Sequence, residues 1–439
     1  MIRTNNIAFK TVRRYTSSKP DGILRYAKLT EKSYLKIHGP DTIKFLNGLV
    51  TSKLLPNFTK KNLTTVTEKS RAINLPFSLH DSNVGIYNDV GINDEFYISR
   101  FGQYTGFLNG RGKLITDSII YPLFDKAPYP EFYLEFNKNI VHKMHTFLQH
   151  HKLLSKFKLN TEKLQTWDVS IGFPTVEEHD ENPWVGNILN PMMSIQNPED
   201  ALSFINNVKT ALFDGYEKNI LGIYVERRTD PLIRQNGSMP LSLRLVTDDT
   251  IKSISSIYNE KTFPFKFDMK EVEPSFFRKQ RLTYGITDGT QDFKSESLLP
   301  LELNFDKWHN AVSENKGCYV GQELTARTFS TGILRKRVVP VTLPNFKLLE
   351  SNNDYFEIQA KNPIQGSDPN LAQSPFGQSK NSRKRPAGAL VAHEGDVGLA
   401  LLRTEYFQTA FGNNNKFYIH LNDTKTVEVH PQKPFWYSE

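Results

Sequence analysis

The sequence predicts an α+β chain of two or three domains that closes on a β-rich C-terminal one. Three observations predict it. From Gly22 to about Thr166 two periodicities interleave: 114–121 and 132–136 read as strands, whereas Ile140, Met144, Phe147 and Leu148 recur at helical spacing before Leu153. After Arg337 the apolar residues fall in short runs at 338–342, 388–391, 397–402, 417–421 and 426–429, separated by turn residues, as in a small barrel or sandwich. The 439 residues, 38% hydrophobic and 12% aromatic, suffice for more than one packed core.

The first twenty residues are of another kind. Arg3, Lys10, Arg13, Arg14 and Lys19 are basic, five Ser or Thr accompany them, and no acid precedes Asp21. This is the profile of a mitochondrial transit peptide over 1–20, with a processing site near Arg13-Arg14-Tyr15. Loss of those five charges takes the formal net charge from +8 to +3, too little to argue for nucleic-acid binding. No run reaches the roughly 18 apolar residues that a membrane span requires, so any membrane association would be peripheral.

Within 27–54, Pro40 suits a first helical turn and Ile43, Leu46 and Val50 share a helical face. The section 173–198 carries Pro174, Pro183, Pro191 and the acids Glu177, Glu178, Asp180 and Glu181, and reads as a surface insertion or a docking loop. The stretch 220–228 reads as a strand entering the second half of the core. Residues 361–386, rich in Pro, Gly, Ser, Gln and Asn, read as a disordered insertion whose Arg383-Lys384-Arg385 run is solvated.

KGCYVGQELTAR (316–327) holds the only cysteine. Lys316 and the start of a short helix through Gln322 and Leu324 would favour the Cys318 thiolate, and Gly317 and Gly321 would let backbone or ligand approach. The alternative is a small buried hydrophobe. One cysteine excludes an internal disulfide and a multi-thiolate zinc site. An iron–sulfur cluster touching Cys318 would need its other ligands from a partner. Trp308-His309 could offer a Cys/His pair, whereas His393-Glu394, followed by Gly-Asp, reads as part of a hairpin turn.

KGCYVGQE resembles the signature of the folate-binding iron–sulfur cluster assembly factors, a branch of the glycine-cleavage T-protein (aminomethyltransferase) superfamily. Further similarities follow in family order: 27–54 with its Gly-Pro-Asp helix start, YTGFLNGRGKLITDSIIY (104–121), RLTYGITDG (281–289) with LPLE ending at Glu302, and HEGDVGLALLR (393–403). The resemblance implies a T-protein-like folate-binding core of two α/β subdomains over 21–335 and a C-terminal β-barrel over 336–439.

The resemblance also implies roles. Glu302 matches the acid that meets the pteridine, Asp117 stands where the aminomethyltransferases carry an acidic pair, and Arg227, Arg278 and Arg327 are candidate cations for the glutamate tail. Arg228 is assigned instead to an ion pair. Cys318 is the expected functional thiol, biased by Lys316, or a cluster ligand shared with a partner. Gly317, Tyr319, Gly321, Gln322 and Glu323 shape its loop. Because Thr116 replaces one acid of the pair, folate turnover is not implied. The expectation is a mitochondrial matrix factor that binds tetrahydrofolate or a derivative. It would act with A-type carriers to deliver four-iron clusters to clients such as aconitase and lipoate synthase. The alternatives are a tetrahydrofolate-dependent aminomethyl or methyl transferase, and an adaptor with a vestigial pocket.

Overall fold

The computed structural model describes residues 20, 22–56, 77, 83–123, 128–173, 181–213, 215–259, 265–349, 355–364, 385–412 and 414–438. The expected transit peptide up to residue 19, the acids Glu177, Glu178 and Asp180, and 365–384 of the expected insertion lie outside the described residues. The chain forms two compact units.

The first unit comprises Met1–Phe277, Ser295–Pro300 and Phe305–Arg327. Its described strands are β1 (Gly22–Leu29), β2 (Lys32–His38), β3 (Ile86–Asn88), β4 (Tyr97–Ser99), β5 (Gln103–Leu108), β6 (Leu114–Pro122), β7 (Glu131–Asn137), β8 (Lys158–Glu162), β9 (Gln165–Gly172), β10 (Ile220–Val225), β11 (Leu241–Thr247) and β12 (Phe267–Glu271). One five-stranded sheet runs β5-β6-β7-β2-β8 and another β10-β11-β9-β1-β12, while β3 and β4 pair by themselves. All pairings are antiparallel except β1 with β12. Only Thr30 and Glu31 separate β1 from β2, yet the two strands enter different sheets.

Strand alternation decides which face of the β5–β8 sheet is apolar. Phe132, Leu134 and Phe136 of β7 and Leu35 and Ile37 of β2 join Ile43 and Leu46 of the helix Thr42–Asn47, and Ile140, Met144 and Leu148 of the helix Lys138–His151. The latter three lie four residues apart, one stripe of a helix, as their spacing predicts. Val50 lies beyond the first helix and bridges Phe107 instead of continuing the helical face. Residues on the other face of this sheet, among them Lys32, Tyr34 and Glu135, are buried although polar.

The section 173–198 departs from the surface loop expected. From Pro183 onward it is helical, with a π-turn over Val185–Leu189 and a short helix Asn190–Met193. Trp184, Ile188, Leu189 and Met192 are buried, and Trp184 stacks on Phe173 with ring centroids 5.4 Å apart. Pro191 sits at the start of its helix, where its missing N–H costs nothing, so the prolines that suggest a loop are compatible with a packed helical turn.

The second unit comprises Arg278–Lys294, Leu301–Asn304 and Thr328–Glu439, and so takes in segments ahead of the boundary expected at 336. Side chains explain why: Asn304 Nδ2 donates to the Val338 carbonyl at 2.9 Å, and Arg278 Nη1 to Glu394 at 2.9 Å. Strands β13 (Lys336–Thr342), β14 (Phe356–Ala360), β15 (Gly388–Glu394), β16 (Val397–Arg403), β17 (Phe417–His420) and β18 (Thr426–Pro431) close into a barrel in the order β13-β16-β15-β14-β17-β18. The five runs expected are all strands. Strand β14 escapes sequence reading because Ile358 is its one fully buried side chain. The hairpin expected at 393–397 is present: Glu394 faces Val397 across a turn in which Gly395 has φ +60°. No helix of the described residues is long and apolar enough to cross a membrane.

Candidate functional site

The segment 305–321 is laid along the first unit contact by contact. Phe305 packs on the Tyr104 ring at 5.2 Å, His309 meets Tyr97, and Asn310 donates to Asn88 at 2.6 Å. Beyond this point it runs antiparallel to the turn that follows the helix Thr42–Asn47. Thr51 Oγ1 donates to the Ala311 carbonyl (2.6 Å), Ser313 N–H to the Thr51 carbonyl (3.1 Å) and Val320 N–H to the Gly48 carbonyl (3.1 Å).

Between these pins lies the cysteine turn. Lys316 is turned inward: its ammonium donates to the carbonyls of Val50 and of Ser52 (2.8 Å) and lies 4.5 Å from the Tyr319 ring centroid. Burial, aided by the nearby charge of Lys53, brings it down to about 7. Tyr319 is buried, which pushes its phenol up to about 12, and its N–H donates to Gln322 Oε1 at 3.1 Å. Gly317 and Cys318 between them are exposed.

Gly321 completes the lock. Its φ is +75°, and a Cβ there would stand 2.4 Å from the Asn109 carbonyl oxygen and 2.8 Å from Leu108. Gly112, at φ +76°, reciprocates across the β5–β6 turn, since a Cβ on it would come within 2.9 Å of the Gly321 carbonyl oxygen. The two glycine-bearing stretches meet backbone to backbone, which only glycine at both places allows. Gly317 is different: nothing lies within 4 Å of where its Cβ would be. The helix Gln322–Thr331 follows, with Glu323 exposed in its first turn, where a carboxylate suits the helix dipole, and Arg327 exposed further along.

Lys316 therefore anchors the loop rather than facing the thiol, a correction to the expectation that it serves the thiolate. The buried-hydrophobe alternative for Cys318 is set aside, because the thiol is exposed. His309 is likewise committed elsewhere. Burial, with Arg227 and Arg234 adding to it, holds its imidazole well below the usual range, so it is neutral at physiological pH. Tyr97 Oη accepts from Arg227 Nη1 (3.2 Å), which leaves its own hydrogen for His309 Nε2 at 2.7 Å.

Behind the loop, the two sheets present polar faces to one another. Asp117 on β6 is buried and accepts from Tyr104 Oη at 2.8 Å. The Tyr104 ring lies 4.1 Å below the Arg228 guanidinium, which is held by both Glu226 oxygens at 2.7 and 2.6 Å, the ion pair expected of Arg228. Burial opposes the charge of Glu226, but the Arg228 charge together with hydrogen bonds from Arg228 and Tyr224 keeps that carboxyl below its ordinary range. Arg227 is bound by Asp230 (2.6 Å), Tyr97 and the Met193 sulfur. In the second unit, Arg278 is bound by Asp292 and Glu394, both at 2.9 Å, and Glu302 is half-buried in the short turn Leu301–Leu303. Arg227 and Arg278 are thus already spent on carboxylates, which counts against the expectation that they receive a ligand's tail.

Sequence reading missed the group at the centre of this layer. Glu135 accepts from Tyr121 (2.8 Å), Tyr34 (3.2 Å) and Arg244 (2.8 Å), while Arg244 also holds Asp168 at 2.7 Å, directly across the β9–β11 pairing. Burial and the Glu135 charge push the Tyr34 and Tyr121 phenols well up. The signal was present: Glu135 lies between Leu134 and Phe136, Asp168 between Trp167 and Val169, and Arg244 between Leu243 and Leu245, single charges inside otherwise apolar strands.

Comparison with known proteins adds four findings. Residues 335–439 match the family model described as the CAF17 C-terminal beta-barrel domain. The chain is 46% identical over 454 residues to the mitochondrial iron–sulfur cluster assembly factor IBA57 of Saccharomyces cerevisiae, spanning 96% of this chain and 90% of that protein. It is 42% identical over 477 residues to the Candida glabrata IBA57 homolog, spanning 99% and 96%. Among solved structures it resembles the glycine cleavage system aminomethyltransferase T of Bartonella henselae with a TM-score of 0.50 and 10% identity, over 94% of this chain and 86% of that one. That likeness bears on the fold alone, and it is the T-protein-like fold expected.

Proposed function

Because the chain belongs to the family of mitochondrial iron–sulfur cluster assembly factors typified by IBA57, we propose that it is a mitochondrial factor in the maturation of iron–sulfur proteins, with Cys318 as its working thiol. The observation that carries this reading is the division of labour in the loop. Lys316, Tyr319 and Gly321 are locked inward, and that leaves Cys318 presented to solvent on a fixed backbone. One thiol supplies one ligand and a cluster normally takes four, so the others come from a partner, in this reading an A-type carrier in the mitochondrial matrix. Clients such as aconitase and lipoate synthase would receive the product.

Tetrahydrofolate or a derivative is the cofactor this reading assigns to the T-protein-like unit. The residues fit it in part. Asp117 is a buried carboxylate with a hydroxyl partner, suited to a pteridine edge, and Arg327 is an exposed cation of the same unit, whereas Glu302 belongs to the second unit. Arg227 and Arg278 would have to abandon buried carboxylates to serve. Folate would order the scaffold beside the thiol, and no step of one-carbon transfer is drawn through the single carboxylate at Asp117.

The test is anaerobic reconstitution with an A-type carrier, followed by absorption and Mössbauer spectroscopy of wild-type and Cys318→Ser complexes. A cluster signal in the shared complex that disappears in the variant is expected; an unchanged signal would end the proposal for the thiol. With reduced folate alone, binding without turnover is the expected result.

A further inference from the structure

Leu153 and Leu154 are the most exposed large apolar side chains of the described residues, at 87% and 96%. They sit together at the tip of the turn between the helix Lys138–His151 and β8. Leu153 is also the one apolar residue among the described non-glycine residues with positive φ, at +43°. The left-handed region is unfavourable for a side chain with a Cβ, and nothing packs on this one in return. The turn nonetheless has a defined form: Ser155 N–H donates to the Lys152 carbonyl at 2.8 Å, and Lys156 N–H to the Asp41 carboxylate at 2.6 Å. Phe157 beneath it is buried, with its ring 4.4 Å from that of Phe45.

The electrostatic setting is one-sided. From Lys138 to Thr161 there is no acid, but there are five lysines and four histidines. Lys156 and Lys158 are exposed beside the leucines, Lys152 lies over the Phe157 ring, and Lys44 is exposed one residue from Phe45. Asp41, an acid that reaches this turn, accepts from the Lys156 backbone. Two adjacent leucines at a protruding tip, collared by lysines, combine an apolar wedge with attraction to negative charge. This pairing suits the boundary between acyl chains and anionic headgroups. An isolated patch of one kind would not.

We propose that the Leu153–Leu154 turn is a peripheral membrane contact, inserting its two leucines into an anionic phospholipid surface while Lys152, Lys156 and Lys158 engage the headgroups. The contact is independent of the thiol and of folate. It would hold the factor at a bilayer without a spanning segment.

The experiment is co-sedimentation of the full chain with vesicles of phosphatidylcholine alone and of phosphatidylcholine with phosphatidylglycerol. Binding to the anionic vesicles is expected, weakening with added salt. It should fall about tenfold or more in the double variant Leu153→Ser, Leu154→Ser, and comparably in Lys152→Glu, Lys156→Glu. As a site-specific readout, the indole introduced by Leu154→Trp should shift its emission, taken as the difference from wild type, to shorter wavelength on anionic vesicles only. Absence of wild-type binding, binding undiminished in the double leucine variant, or an unshifted emission from the introduced indole would each overturn the proposal. Any of these would leave an acidic protein surface as the alternative partner. Both leucines are solvent-exposed, so thermal unfolding of the serine variant should match wild type.

Discussion

Arg244 and Lys316 are both cations withdrawn from water, and they are stabilised in opposite ways. Arg244 lies between Glu135 and Asp168 in the layer between two sheets, with Lys32 beside Glu135, so that two cations meet two carboxylates. Lys316 has the carbonyls of Val50 and Ser52, an aromatic ring and a neighbouring lysine, and no carboxylate among the described residues holds it. The first arrangement holds two sheets in register, and removing one partner strands a buried charge. The second pins a loop with hydrogen bonds to neutral groups, which leaves the ammonium easy to discharge. A rigid interior therefore stands behind an adjustable clasp, and the thiol is carried on the clasp.

The largest effect expected is in the interior. Glu135→Ala leaves Arg244 and Lys32 each short of a carboxylate and takes the acceptor from the Tyr121 hydroxyl, while Tyr34 keeps Thr166, so it should destabilise the protein by about 3–5 kcal/mol in denaturant titration. A loss under about 1 kcal/mol would mean that water enters the layer and the contrast with Lys316 is unfounded.

Next comes the lock. Gly321→Val introduces a Cβ into the Asn109 carbonyl at a positive φ and should cost about 2–4 kcal/mol. Gly317→Ala, in open space, should stay within about 0.5 kcal/mol. Equal effects at the two glycines would refute the picture of one pinned and one free end.

The clasp itself is read by pH. Lys316 titrates at about 7 when folded and at about 10.4 in an unfolded chain. Between those values the unfolded state binds the extra proton, so this group's contribution to stability is least below pH 7 and rises toward pH 10. The Tm of Lys316→Met relative to wild type should accordingly be most favourable near pH 6 and decline as pH rises. A difference flat across that range would show that Lys316 keeps its proton.

The smallest structural effect is expected at the thiol. Cys318→Ser should change stability by no more than about 0.5 kcal/mol, because its side chain is exposed, while abolishing the cluster signal described above. Substantial unfolding of this variant would return Cys318 to a packing role.

Much of the fold could be read along the chain because its cues are local. Strand β6, the helix Lys138–His151, five of the six barrel strands and the Gly395 turn each announce themselves through period or turn chemistry within a few residues. The helix at Asn190–Met193 did not, since its three nearby prolines resemble a loop until burial of Trp184 and Met192 shows what the segment packs against. Among the site residues, the composition of the cysteine loop was legible and its orientation was not. Lys316, Gly317 and Cys318 are neighbours in sequence, yet one points inward and the next two are exposed.

The sequence alone determined the elements, the single thiol and its glycine spacing, because propensity, periodicity and turn geometry depend on residues close together. Tertiary structure alone decided which charges cancel. Arg227, Arg244 and Arg278 look equally available in a string of letters, and each is committed by a carboxylate that folding brings to it, from as near as three residues to as far as 116. Coulombic pairing depends on distance in space, and in a buried layer that distance is set by the register of strands that only the assembled sheets define.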